Sequence, residues 1–257
     1  MKGPSWGWAA AKATGTSHLR AGKGCDDYGG CTIIQCDTND VLAIVVSDGA
    51  GSAEHSSIGS RLAAMRFVRC ASNFVKSGGK PGLITQQIAL EWLDDIRDRI
   101  FNAATTFGKS PRDFAATLVG CLIGTTDAAF IHVGDGAAVF KTGDGDDWRV
   151  GSWPAQAEYA STTYFVTDDP EPNVIVSKFE GEIRELSVFS DGLERLVLDF
   201  SNQTAFAPFF DRIFQSFDDS ITGRDRTLSK QLQTLLESKQ ICDKTDDDKT
   251  IFLARRV

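Results

Sequence analysis

The chain has 257 residues, 42% hydrophobic and 24% charged, enough for one large domain or two small ones with a sizeable core. Its formal net charge of -8 argues against a surface that holds nucleic acid or an anionic membrane, and fits a carboxylate-rich site completed by cations. No low-complexity tract, solenoid repeat or bilayer-length apolar run interrupts it, and the first residues lack the apolar core of a signal peptide, so a cytoplasmic protein is expected. Its six cysteines form no C-x-x-C pair and read mostly as reduced core residues.

Residues 5–14 alternate through Trp6, Trp8 and Ala10 and predict a first strand. Residues 15–24 form a polar, glycine-rich loop carrying His18, Arg20 and Lys23, after which Asp26 and Asp27 lead into a strand at 31–36. Its expected partner is the run VLAIVVS at 41–47, continuously apolar as a buried strand must be, which stops on Asp48. Gly49 and Gly51 then let the backbone turn sharply and leave room for a ligand beside that carboxylate.

Within residues 52–76, Ile58, Leu62, Met65, Val68, Ala71 and Val75 make one stripe of an amphipathic helix, ended by Gly78, Gly79 and Pro81. Ile84, Ile88, Trp92, Ile96 and Ile100 mark a second helix, and such a pair packs together against a sheet. Residues 114–124, 128–133 and 137–141 read as a strand meander with turns at 124–127 and 134–136. Asp135 is then either a hairpin residue or a site carboxylate. The acidic stretch 143–147 lacks the EF-hand spacing and its terminal Glu, so it is a hydrophilic hairpin tip.

Between residues 154 and 172 the pattern loosens into a flap or surface excursion. Strands at 174–179 and 183–190 then deliver Asp191 in a second apolar run ending Ser-Asp-Gly. A hairpin turn would be followed by another alternating strand, whereas Asp48 and Asp191 are both followed by helical spacing. Helices near 193–199, 206–217 and 228–236 follow, and the acidic run 246–248 opens a last strand at 251–254. Strand runs separated from helix runs predict an α+β fold with antiparallel sheets.

Asp27, Asp48, Asp191 and Asp247 each sit at an end of a predicted strand. If they converge, their charges repel or take up protons unless cations lie between them. All-oxygen ligation selects hard ions, Mg²⁺ or Mn²⁺. Two such ions roughly 3.5–4 Å apart share a bridging water, lower its pKa and clamp a phosphoryl group for in-line attack. No G-x-S-x-G, Cys/His pair or Walker loop supplies a covalent nucleophile or a different phosphate chemistry.

Five pieces then carry a resemblance in order along the chain: CDD at 25–27, SDGAG at 47–51, Thr117-Leu118 through VGDG at 133–136, SDGL at 190–193 and DDKT at 247–250. Together they resemble the metal-dependent serine/threonine protein phosphatases of the PP2C type, in particular compact bacterial members. The resemblance implies a single domain over 1–257 with a four-layer αββα sandwich, two antiparallel sheets flanked by helix pairs. It further implies that Asp48 bridges two Mg²⁺ or Mn²⁺ ions, that the Gly49 carbonyl ligates one, and that Asp191 and Asp247 complete the first. Asp27 would act through bound water, and Asp135 would help hold a weaker third ion.

Three positions depart from the family pattern: Arg195 stands where many members carry another acid, Ala50 where eukaryotic members carry a histidine general acid, and Ser52 where the loop ends on a glycine. Arg20 and His18 are both candidates for binding phosphate, Arg20 being preferred for its planar two-point grip. The implied substrate is a phosphoserine or phosphothreonine protein, with a Ser/Thr kinase as counterpart. The alternative is a lapsed phosphatase-like module that binds phosphoproteins.

Overall fold

The computed structural model describes residues 5–36, 40–155, 163–168 and 173–257. The first strand, β1 (Trp6–Ala13), is followed by α1 (Thr16–Arg20), a single turn inside the expected glycine-rich loop. No residue of α1 is buried, so it leaves no apolar period in the sequence. Next come β2 (Tyr28–Ile34) and β3 (Val41–Ser47), which pair antiparallel as expected, although β2 begins three residues earlier than the predicted strand. The predicted helix pair is α2 (Ser56–Lys76) and α3 (Gln86–Phe107). Thr85 caps α3, its hydroxyl oxygen accepting from the Ile88 amide at 3.2 Å, and the Arg66 guanidinium on α2 bonds the Asp95 carboxylate on α3.

Strands β4 (Leu118–Ile123), β5 (Asp127–Val133), β6 (Ala137–Thr142) and β7 (Trp148–Ser152) come next. The predicted strand start at 114 is a 3-10 turn over Pro111–Phe114, whose capping box holds it out of the sheet. After β8 (Ile175–Glu180) and β9 (Ile183–Phe189), Asp191 opens α4 (Asp191–Val197). The outer region contains the short pair β10 (Leu198–Asp199) and β11 (Thr204–Ala205), α5 (Ala207–Phe214), β12 (Gly223–Arg224), α6 (Arg226–Leu236) and α7 (Lys239–Cys242). The chain closes on β13 (Lys249–Arg256).

Two main sheets result, ordered β2-β3-β4-β5-β8 and β12-β1-β13-β9-β6-β7. All their pairs are antiparallel except the two-residue contact of β1 with β12. One expectation fails here. β5 and β6 are not hairpin partners: β5 pairs with β4 and β8, β6 with β7 and β9, so residues 134–136 carry the chain from one sheet to the other. Gly134 (φ 94°) and Gly136 (φ 88°) both take the left-handed conformation that this crossover needs.

Side-chain alternation along β3 explains why its sequence is apolar throughout. Ala43 and Val45 face α2 and α3 in a core with Phe67, Trp92, Leu93 and Ile96. Leu42, Ile44 and Val46 face the other sheet, among Phe130, Phe140, Leu186 and Val188. A third core, with Phe189, Phe210, Phe214, Leu228 and Leu232, lies between the second sheet and α4 to α6. The architecture is the αββα sandwich, and each fully buried large side chain such as Phe67 contributes about 1.5–3 kcal/mol through burial.

Candidate active site

Strand register gathers the acids at one end of the sandwich. Tyr28 lies opposite Ser47 and Leu118 opposite Val133, while Ala137 and Ile251 both lie opposite Phe189. The residues just beyond these pairs are Asp27, Asp48, Asp135 and Asp191, with Asp247 two residues before β13. Two strand-end turns from each sheet therefore open onto one cleft.

The carboxylates of Asp48, Asp135 and Asp191 each bring an oxygen within 4.8 Å of the others. Asp48 is held by exchange with the segment after the 3-10 turn: its amide donates to Thr117 Oγ1 at 3.1 Å and its carbonyl accepts from the Thr117 amide at 2.8 Å. Gly49 continues this contact as an antiparallel bridge to Ala116. Asp27 is 2% exposed, and its Oδ2 accepts from Ser190 Oγ at 2.7 Å. Ser190 Oγ in turn accepts from the Thr250 amide at 2.9 Å, tying the start of β2 to the end of β9 and the start of β13. Thr163, in the segment expected to be a flap, donates to Asp135 Oδ2 at 3.0 Å. The parts of that segment at 156–162 and 169–172 lie outside the described residues.

Burial pushes the Asp48 carboxyl well above the usual carboxylate range, and the charges of Asp27, Asp191 and Asp135 add to it. Burial, then Asp135 and Asp247, push Asp191 up to about 8. Asp27 and Asp135 are raised as well, each chiefly by burial. Asp247 is exposed and outside the closest trio, but its charge reaches both Asp135 and Asp191. Without counter-ions the cluster holds protons; a cation would release them.

Three buried oxygens of this cluster have no hydrogen-bond partner: Asp27 Oδ1, Asp135 Oδ1 and Asp191 Oδ1. An unsatisfied buried carboxylate oxygen is costly, and a hard divalent cation is the partner an all-carboxylate donor set fits.

His18 and Arg20 lie on α1, beside the 246–248 run. His18 Nδ1 is 3.0 Å from Asp248 Oδ2, and its Nε2 is 3.9 Å from Asp26 Oδ2. Arg20 points outward, 71% exposed, and pairs with Asp246 at 3.3 Å. Of these two, His18 is the one the fold holds in place.

Two acids escaped the sequence reading. Asp248 is buried, accepts from the amides of Gly15 and Asp26 and meets His18, so it knits α1 and the start of β2 to the mouth of β13. Glu194 is buried and accepts from the Gly136 amide, holding the crossover that carries Asp135; burial raises its carboxyl to about 7. Its signal was the helical spacing itself, since residue 194 falls on the same face as Asp191 one turn on, whereas Arg195 is exposed.

Gly192, in the first turn of α4, is a close-approach position: a Cβ there would overlap the Asp248 carbonyl oxygen and lie 3.3 Å from Lys249 Cγ. Gly192→Ala is expected to destabilise the fold by about 1–3 kcal/mol. Urea unfolding checks this.

Facing antiparallel sheets between helix layers, with carboxylates converging where the strands end, define a phosphatase of the PP2C class. The chain belongs to the protein phosphatase 2C family, whose model matches residues 14–237, and is a serine/threonine protein phosphatase of that type. It is 31% identical to serine/threonine-protein phosphatase 3 of Escherichia coli (strain K12), over 97% of this chain and 98% of that one. PppA of Pseudomonas aeruginosa has the same fold, with a TM-score of 0.64 and 15% identity over 98% of both chains. So has RsbX, solved in complex with magnesium, with a TM-score of 0.57 and 13% identity over 96% of this chain and 94% of that one.

Proposed function

We propose that residues 1–257 act as one phosphatase domain that hydrolyses phosphoserine and phosphothreonine monoesters in proteins with a pair of Mg²⁺ or Mn²⁺ ions. The observation that carries this reading is the trio Asp48, Asp135 and Asp191 with its unpartnered buried oxygens. Asp48 would bridge the ions, with the Gly49 carbonyl, Asp191 and Asp247 completing their protein ligands; Asp27 would act through water and Asp135 would serve a weaker third ion. RsbX, of the same fold, was solved with magnesium. When bound, the ions supply an activated hydroxide and neutralise charge developing on the phosphoryl oxygens.

The chain's own groups do the rest. Ser190 orients Asp27, Thr117 fixes the backbone of Asp48, and Glu194 anchors the turn that carries Asp135. His18, oriented by Asp248, would present its imidazole to the phosphoryl group, whereas Arg20 would first have to release Asp246 before its guanidinium could reach it. The core shared by the two sheets supports treating the chain as one unit. The natural counterpart is a Ser/Thr kinase, and the free cysteines agree with a cytoplasmic setting. Among the described residues no helix is long and apolar enough to cross a membrane.

A lapsed binding module is disfavoured by the same trio, which retains the metal-ligand chemistry that such a module would not need. Hydrolysis of p-nitrophenyl phosphate and of a phosphothreonine peptide, each with Mn²⁺ and with a chelator, tests the proposal. Turnover should appear with Mn²⁺ and vanish with the chelator, and calorimetry should count at least a pair of ions. Turnover that ignores the chelator would sink the reading.

A further inference from the structure

Beside the acid cluster, the flank of the sandwich holds a groove of about 440 Å³ between β2 of one sheet and β1 and β13 of the other. Trp8 and Phe252 stack in its wall with ring centroids 6.2 Å apart, and Tyr28 stands opposite. Two exposed cations complete it: Lys12 Nζ lies 5.8 Å from the Tyr28 ring centre, and the Arg224 guanidinium 5.4 Å from that of Trp8. No Asp or Glu among the described residues lines the groove, although the chain carries 35 acidic against 27 basic residues. It is a cationic, aromatic slot on an anionic protein.

Two further observations say what shape of ligand it takes. β2 is the outermost strand of its sheet, so among the described residues one edge of its backbone has no strand partner. Gly29 keeps that part of the wall free of side chains, a Cβ there overlapping the Phe252 ring, and Gly30 contributes backbone to the lining. The inner end of the groove touches the acid cluster: Lys12 Nζ donates to the Asp27 carbonyl at 3.0 Å, and Thr250 is linked to Asp27 through Ser190.

We propose that this groove binds an extended acidic peptide segment, which adds to the open edge of β2 and sets its carboxylates against Arg224 and Lys12. An open edge supplies main-chain hydrogen bonds, the rings receive alternate apolar side chains, and the cations select the charge. The inference rests on the phosphatase reading in one respect, that the segment is the sequence flanking the substrate's phosphorylated residue. β2 starts directly after Asp27, so a peptide laid along it leads to the acid cluster.

The test uses the full chain and a short fluorescein-labelled peptide of alternating Val and Glu, unphosphorylated, with its Val and Lys counterpart, read by anisotropy. The acidic peptide binds, the basic one does not, and added salt weakens the binding. Arg224→Glu weakens it about fivefold or more, and Arg224→Gln by less. Arg224 lies outside the acid cluster, so both variants keep wild-type turnover of p-nitrophenyl phosphate, while Arg224→Glu raises KM for an acidic-flanked phosphothreonine peptide with kcat unchanged. Equal binding of the acidic and basic peptides overturns the proposal, as does wild-type binding by Arg224→Glu. A concentration-dependent dimer that the acidic peptide does not dissociate also overturns it, because a second copy then fills the groove. Acidic-peptide binding without turnover of any phosphoester overturns the substrate assignment and the phosphatase reading but keeps the peptide site.

Discussion

Asp48→Asn is expected to lower Mn²⁺-dependent hydrolysis of p-nitrophenyl phosphate by about a hundredfold or more, while raising the melting temperature of the metal-free protein. The two effects share one cause. Asp48 is the carboxylate on which burial, Asp27, Asp191 and Asp135 all press, so its charged form is disfavoured in the metal-free cluster. Asn keeps the shape and a hydrogen-bond donor toward Asp27 but carries no charge. The metal-free fold no longer carries a carboxyl whose charged form burial and its neighbours disfavour, and a bound cation would lose an anionic ligand. Asp191→Asn should follow the same pattern, since Asp135 and Asp247 press on Asp191. Wild-type turnover in either variant would remove that residue from the metal site, and a lower melting temperature in chelator would show that charge repulsion is not what strains the cluster.

Those two aspartates were the most legible part of the site. Each ends an apolar run and is followed by helical spacing, which places a carboxylate on a rigid strand end in any packing of the elements. Asp135 was harder to read. A Gly-Asp-Gly between two alternating strands looks like a hairpin tip, and alternation cannot tell whether the next strand joins the same sheet or the facing one. Only the pairing of β6 with β9 makes residues 134–136 a crossover that delivers Asp135 to the cleft. Asp248 was hidden differently. In a run of three acids the sequence gives no sign of which one turns inward, and residue 248 does so while 246 and 247 stay exposed. The helix α1 was missed because a single turn without a buried residue has no period to detect. Long elements with a buried face were read correctly because burial imposes the pattern; short polar ones take their shape from long-range contacts such as those of Asp248 with Gly15, Asp26 and His18.

Metal-free protein is expected to lose stability as pH rises from about 6.5 to about 8, and saturating Mg²⁺ or Mn²⁺ should flatten that slope. Asp191 ordinarily titrates at 3.8 and is raised to about 8 in the fold, so the folded chain binds a proton there that the unfolded chain has already lost. The stabilisation of its neutral form is complete below the unfolded value and disappears as pH climbs through the folded one. Glu194, raised to about 7, works in the same direction over the lower part of that range. His132 opposes them. It is buried with one ring nitrogen on Ser152 and the other 3.1 Å from the Asp135 carbonyl, and burial lowers it from 6.5 to about 4. The folded chain therefore binds fewer protons at His132 than the unfolded chain between those values, so this group adds stability as pH rises and then stops contributing above 6.5. Below 6.5 the two slopes partly cancel; above it the acids act alone, which is why the fall should emerge there. Cations change the sign of the local field, take the place of the protons and remove the reason for the shift. Calorimetric melting temperatures across this range, in chelator and in Mn²⁺, give the measurement. A flat metal-free profile would mean that the cluster is ionised without cost, and an Mn²⁺ profile as steep as the metal-free one would mean that these carboxylates do not hold the ion.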